Sequence, residues 1–229
     1  MNGCPGGASV CETGRRRLSA PRNHQRGNAL VNGNVEDRNA SNARHIYYDL
    51  GCSQYQDTGK ISISGGYGSS IPLFLRLYEL QCIHFHALYA WEATPYRPDK
   101  WWASVPAHVR NRLTFFNEPV SEDSFLAKLR ETARPEDFVV LKVDIDQPAL
   151  EQSLIRRIAD DPDLADLIDE LYLEYDGLSI ADHRPTAYTI NGSFCRTHSC
   201  LQPEHSTIAS AVALMQRLRS RGIRSHFWV

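Results

Sequence analysis

From His45 onward, short runs of β-prone residues alternate with runs of helical period, and that alternation restricts the chain to a largely parallel sheet covered by helices. Strands are expected near Ile46–Leu50, Phe85–Trp91, Leu113–Phe116, Phe138–Val143, Glu170–Tyr175 and Ser225–Val229, each short and mostly rich in β-branched or aromatic residues. Helices fall between them. Ile71, Phe74, Leu75 and Tyr78 recur at i, i+3, i+4 and i+7 behind Ser70 as a cap, and Ile208, Ala211, Val212, Met215 and Leu218 do the same before Gly222. Phe125, Leu126 and Leu129 mark another helix, and Leu150, Leu154, Ile155 and Ile158 a fourth, broken at Asp161-Pro162.

Residues 1–44 stand outside this pattern. They are rich in Gly, Asn, Ser and Arg and offer no periodic apolar face, so the sequence predicts a disordered N-terminal tail ahead of one domain over 45–229. Two further stretches, 54–67 and 176–204, read as insertions or long loops. The tail holds seven Arg against three acids, which leaves 45–229 with eighteen basic and twenty-four acidic residues, net −6. An acidic body argues against nucleic acid as a partner, because phosphate contacts need a basic surface on the folded part. No apolar run approaches the roughly 20 residues of a membrane span, and Met1-Asn2-Gly3-Cys4-Pro5 begins no signal-type apolar segment, so the expectation is a cytoplasmic protein with free thiols.

Three stretches carry chemistry. The first strand ends in Asp49-Leu50-Gly51, and Gly65-Gly66-Tyr67-Gly68 follows before the first helix. Ligands of open α/β sheets bind beyond the carboxyl ends of the strands, where glycine admits close backbone approach. Asp-x-Gly alone equally describes a strand followed by an ordinary turn. The second strand closes on Glu92, where a carboxylate can accept hydrogen bonds from both ribose hydroxyls of a nucleoside, or simply be a solvated strand end. The fourth strand runs Val140-Leu141-Lys142-Val143-Asp144-Ile145-Asp146, and its two acids fall on one side for as long as the chain stays extended. Asp144 or Asp146 is a candidate general base or a ligand for a divalent cation, and a charged strand-to-helix corner is the plainer alternative.

The runs Leu88–Pro95 (LYAWEATP), Phe115–Ser121 (FFNEPVS), Val140–Asp146 (VLKVDID) and Leu171–Tyr175 (LYLEY) resemble, in order and spacing, the FkbM-type S-adenosylmethionine (SAM) methyltransferases. The resemblance implies a Rossmann-like methyltransferase fold and SAM as cofactor. Asp49, Gly51, Gly66 and Gly68 are the cofactor-loop candidates from the strand-to-glycine geometry, and the resemblance implies that Glu92 holds the ribose. Asn117 and Ser121 would lie near the adenine, with Lys142, Asp144 and Asp146 around a methyl acceptor, a hydroxyl of a small molecule or glycan. The sequence departs from the family where Asp-x-Gly continues as Cys52-Ser53-Gln54 rather than Ala-Asn-x-Gly, and Glu151 does not align with the family's later Glu. A non-catalytic binding domain of the same fold is the alternative, and the missing Gly-x-Gly-x-x-Gly speaks against a nicotinamide enzyme.

Other groupings point to structure. Trp101-Trp102 reads as packing and His84 with His86 as structural or solvated, while Cys195, His198, Cys200 and His205 have an irregular spacing for zinc.

Overall fold

The computed structural model describes residues 42–56, 69–174, 188–190, 193–195 and 208–228. Six strands, β1 (His45–Leu50), β2 (Ala87–Trp91), β3 (Leu113–Phe116), β4 (Phe138–Val143), β5 (Glu170–Glu174) and β8 (Arg224–Trp228), form one sheet in the order β3-β2-β1-β4-β5-β8. Every pairing in it is parallel. This is a Rossmann-like α/β architecture, as the alternation predicts. Between the strands run α1 (Ser70–Glu79), the short α2 (Pro98–Ala103) and α3 (Ala107–Arg110), α4 (Glu122–Thr132), α5 (Pro148–Asp160), α6 (Pro162–Ala165) and α7 (Ile208–Ser220).

Alternation along β1 divides the core into two layers. Ile46, Tyr48 and Leu50 face one layer, packed with Phe125, Leu129, Ile155 and Leu218 of α4, α5 and α7. Tyr47 faces the other, with Phe74 and Tyr78 of α1, Trp101 of α2 and Val109 of α3. Lys142 and Asp49 are register partners on adjacent strands, so their side chains emerge side by side on the Tyr47 face.

Several local readings change. Ser69, not Ser70, precedes α1, and the Ser70 hydroxyl donates to Asp49 Oδ2 at 2.5 Å instead of capping the helix. Asp161-Pro162 ends α5 and also starts α6, where Asp161 accepts from the Asp163 and Leu164 amides. The sequence reading missed α2 and α3, both under two turns and too short for a periodic signal. Within 176–204 a two-stranded antiparallel pair appears, β6 (Tyr188–Ile190) with β7 (Ser193–Cys195). Arg44, assigned to the tail, belongs to the folded body: its backbone amide and guanidinium both donate to Asp137. Residues 1–41 lie outside the described part. Cys52 is a free, buried thiol, but Cys82 is disulfide-bonded, contrary to the expectation of free thiols. Among the described residues no helix is long and apolar enough to cross a membrane.

Candidate functional site at the carboxyl rim

After β1 the chain crosses to β2 and β3 on one side, then returns past β1 to β4 on the other. The carboxyl ends of β1 and β4 therefore diverge into connections on opposite sides, the position where open α/β sheets leave a crevice for ligands. The residues at that switch point are Asp49 and Gly51 from β1 and its exit, and Lys142 and Asp144 from β4 and its exit.

Asp49 and Lys142 are both fully buried. Lys142 Nζ donates to Asp49 Oδ1 at 3.3 Å and to the Gly51 carbonyl at 3.0 Å, and it pairs with Asp144 Oδ2 at 2.8 Å. Its three donors thus meet three acceptors on two chain segments. Asp49 Oδ2 accepts in addition from the Tyr47 and Ser70 hydroxyls. Burial by itself pushes the Lys142 ammonium down, but Asp49 and Asp144 outweigh it and hold the group above its usual value. Asp49 therefore serves the site from beneath, binding the two strand exits together rather than presenting a free carboxylate.

Gly51 is the backbone counterpart of that lock. Its φ is +87°, and a Cβ there would stand 1.6 Å from the Asp144 carbonyl oxygen, so only glycine lets the two exits touch. The Gly51 and Cys52 amides both donate to the Trp91 carbonyl, and the Asp144 amide donates to that of Leu50. Beside them the Cys52 thiol is pushed well up by burial, then by Asp49 and Glu92, and stays protonated.

Glu92 leaves β2 half-buried, with its carboxylate spanning two loops. Oε2 accepts from the Ser53 amide at 2.8 Å and Oε1 from the Thr94 amide at 2.7 Å. Each carboxylate oxygen retains a further acceptor position. Asn117, beyond β3, braces the same turn: its amide nitrogen donates to the Glu92 and Thr94 carbonyls, and its oxygen accepts from the Tyr96 amide. Ser121 caps α4 by accepting from the Ser124 amide at 3.2 Å.

Beyond β4 the chain does not remain extended. Asp146 adopts a left-handed φ of +55°, yet the turn still brings its carboxylate to that of Asp144, and Glu174 from the end of β5 joins them. One carboxylate oxygen from each of the three lies within 4.8 Å of the others. Asp144 and Glu174 are half-buried and Asp146 is exposed. The buried Glu151 supports this turn by accepting from the Ile145 amide at 2.8 Å. Sequence reasoning missed Glu174. Its signal was an acid closing a fifth parallel strand next to the acid-bearing fourth, the pattern that had singled out Glu92.

The structure thus brings together Asp49, Gly51, Lys142, Asp144 and Asp146 at one end of the sheet, with Glu92 on the neighbouring loop. Gly66 and Gly68 lie outside the described residues. Trp101 is buried and stacked on Phe115 at 3.6 Å between ring centroids, with Nε1 donating to the Ser53 carbonyl, so it is packing as read. His86 Nδ1 accepts from the His45 amide at the opposite rim. The Cys195, His198, Cys200 and His205 set lies outside the residues whose side chains are described. No model of a known protein family and no curated protein matches the chain.

Proposed function

We propose that the carboxyl rim binds SAM and that the chain is a SAM-dependent methyltransferase acting on a hydroxyl of a small molecule or glycan. The reading rests on the FkbM-type resemblance, and the observation that carries it is Glu92. An acid at the exit of the second strand, half-buried, spans the loops after β1 and β2 while each of its oxygens keeps a further acceptor position. Two such positions on one carboxylate suit the two hydroxyls of a ribose.

SAM held at this rim, with Glu92 on its ribose, would supply the methyl group for an in-line displacement. The contribution of the chain is alignment and proton removal. The Asp49–Lys142–Gly51 lock fixes the base of the site and the Lys142 ammonium anchors Asp144 at its edge, which puts Asp144 or Asp146 in place to take the acceptor's hydroxyl proton. Asp144, Asp146 and Glu174 are also the residues that would hold a divalent cation, since hard cations take carboxylate oxygens.

A second reading, a non-catalytic binding domain of the same fold, is favoured by one observation. Both Glu92 oxygens and the whole Asn117 amide already have protein partners where the first motif departs from the family. Calorimetric titration with SAM, S-adenosylhomocysteine and NAD separates these readings. The methyltransferase reading expects saturable binding of the first two, and Glu92→Ala should weaken it about ten- to hundredfold in a folded protein, the equivalent of roughly 1.5–3 kcal/mol for charge-assisted hydrogen bonds. Binding of NAD alone, or of none of the three, would overturn it.

A further inference from the structure

We infer that Asn117 is a positioning residue that acts through Glu92, not a group that touches the ligand; its consequence for affinity rests on the methyltransferase reading, its consequence for the loop does not. Asn117 is exposed, yet its amide is spent on the protein. The nitrogen donates to the Glu92 carbonyl at 3.0 Å and to the Thr94 carbonyl at 2.6 Å, and the oxygen accepts from the Tyr96 amide at 2.8 Å. A primary amide has two N–H donors, and both are used. The turn that Asn117 closes is the one whose Thr94 amide donates to Glu92 Oε1. The other oxygen of that carboxylate accepts from Ser53, on the loop after β1 and 39 residues away in sequence. A side chain beyond β3 therefore fixes the backbone of Glu92, and Glu92 in turn ties the β1 and β2 exits together. Pre-organisation of this kind puts the ordering cost into folding rather than into binding.

Backbone amide hydrogen exchange of the unliganded protein tests the coupling directly. In Asn117→Ala, exchange should speed about tenfold or more at Thr94 and Tyr96, and also at Ser53, which Asn117 does not touch, while Leu88 and Ala90 inside β2 keep their protection. Asn117→Asp keeps the acceptor for Tyr96 and loses both donors, so Tyr96 should remain protected while Thr94 and Ser53 do not. A local pin would free Thr94 and Tyr96 and leave Ser53 unchanged, and that result overturns the inference. Affinity supplies the second arm. Asn117→Ala should weaken S-adenosylhomocysteine about five- to thirtyfold, leave its 2′,3′-dideoxyribose analogue within about twofold, and add little to Glu92→Gln. An equal loss for both ligands would make Asn117 a direct contact and overturn its positioning role. Failure of the wild type to bind either ligand overturns the methyltransferase reading, and the exchange pattern at Ser53 still decides the coupling.

Discussion

The two rims of the sheet use their carboxylates differently. At the amino rim each buried acid is surrounded by donors. Asp137 accepts from the Arg44 amide, the Arg44 guanidinium and the Arg134 amide. Glu170 accepts from Tyr78, Tyr172 and Arg224 and is paired with His226, which stacks on Tyr172. At the carboxyl rim, by contrast, three carboxylates converge within 4.8 Å, and the acid Asp144 shares its neighbouring lysine with Asp49. Assembling like charges costs free energy that hydrogen-bonded acids do not. The amino rim is therefore built for stability. The carboxyl rim divides into a structural floor of Asp49, Gly51 and Lys142, to which Asp144 is tied through the lysine, and an outer acidic edge with Asp146 exposed, where like charges are assembled.

The sharpest way to break that division is Gly51→Ala. A Cβ 1.6 Å from the Asp144 carbonyl must push the β1 and β4 exits apart, so the variant should lose at least about 4 kcal/mol and melt well below every other variant considered, as followed by circular dichroism. Survival of the native melting temperature would show that the two exits are not in contact. Lys142→Met comes next. It strands the buried Asp49 carboxylate, which should cost about 3–5 kcal/mol and lower the melting temperature by roughly 10 °C. Adding Asp49→Asn should restore part of the loss, and a strictly additive double variant would refute the pairing.

Glu170→Gln probes the opposite rim and should cost about 1–3 kcal/mol, mainly by leaving the hydroxyls of buried Tyr78 and half-buried Tyr172 poorly matched. Burial raises the Glu170 carboxyl, but hydrogen bonds from His226 and Tyr78 and the charge of Arg224 hold it below the usual carboxylate range. A depressed carboxyl stabilises the fold above its unfolded value and loses that contribution as pH falls through its lower folded value. Urea midpoints of wild type and Glu170→Gln should therefore differ most near neutrality and converge on acidification. A gap that widens in acid would reverse the sign of this argument. The smallest effect belongs to Asp146→Asn. Asp146 is exposed, asparagine tolerates its left-handed φ, and one charge leaves the acidic group, so stability should stay within about 0.5 kcal/mol or rise slightly. A loss above 1 kcal/mol would make the outer acids structural and erase the contrast between the rims.

Much of the fold was legible because its signals are local. Tyr47, Leu50 and Val140 lie in β-rich runs, and Phe74, Leu129 and Ile155 repeat at helical spacing, so the parallel sheet and its four longer helices follow from periodicity. Asp49, Glu92, Lys142 and Asp144 stood out because each sits at or just beyond the carboxyl end of a β-rich run. The short helices were not legible, because one turn has no period. Nor were the partners of the polar residues. Lys142 meets Asp49 only because β4 pairs with β1 in one register, although 93 residues separate them. Glu174 joins Asp144 and Asp146 only because β5 lies beside β4 and the chain turns left-handed at Asp146. Sequence determined which residues lie in strands and helices and which acids stand at strand ends, since backbone propensity and side-chain period act over a few residues. The tertiary structure alone decided which acids share a site and which are spent on the fold, because hydrogen bonds and charge pairs depend on distances that strand order and register set.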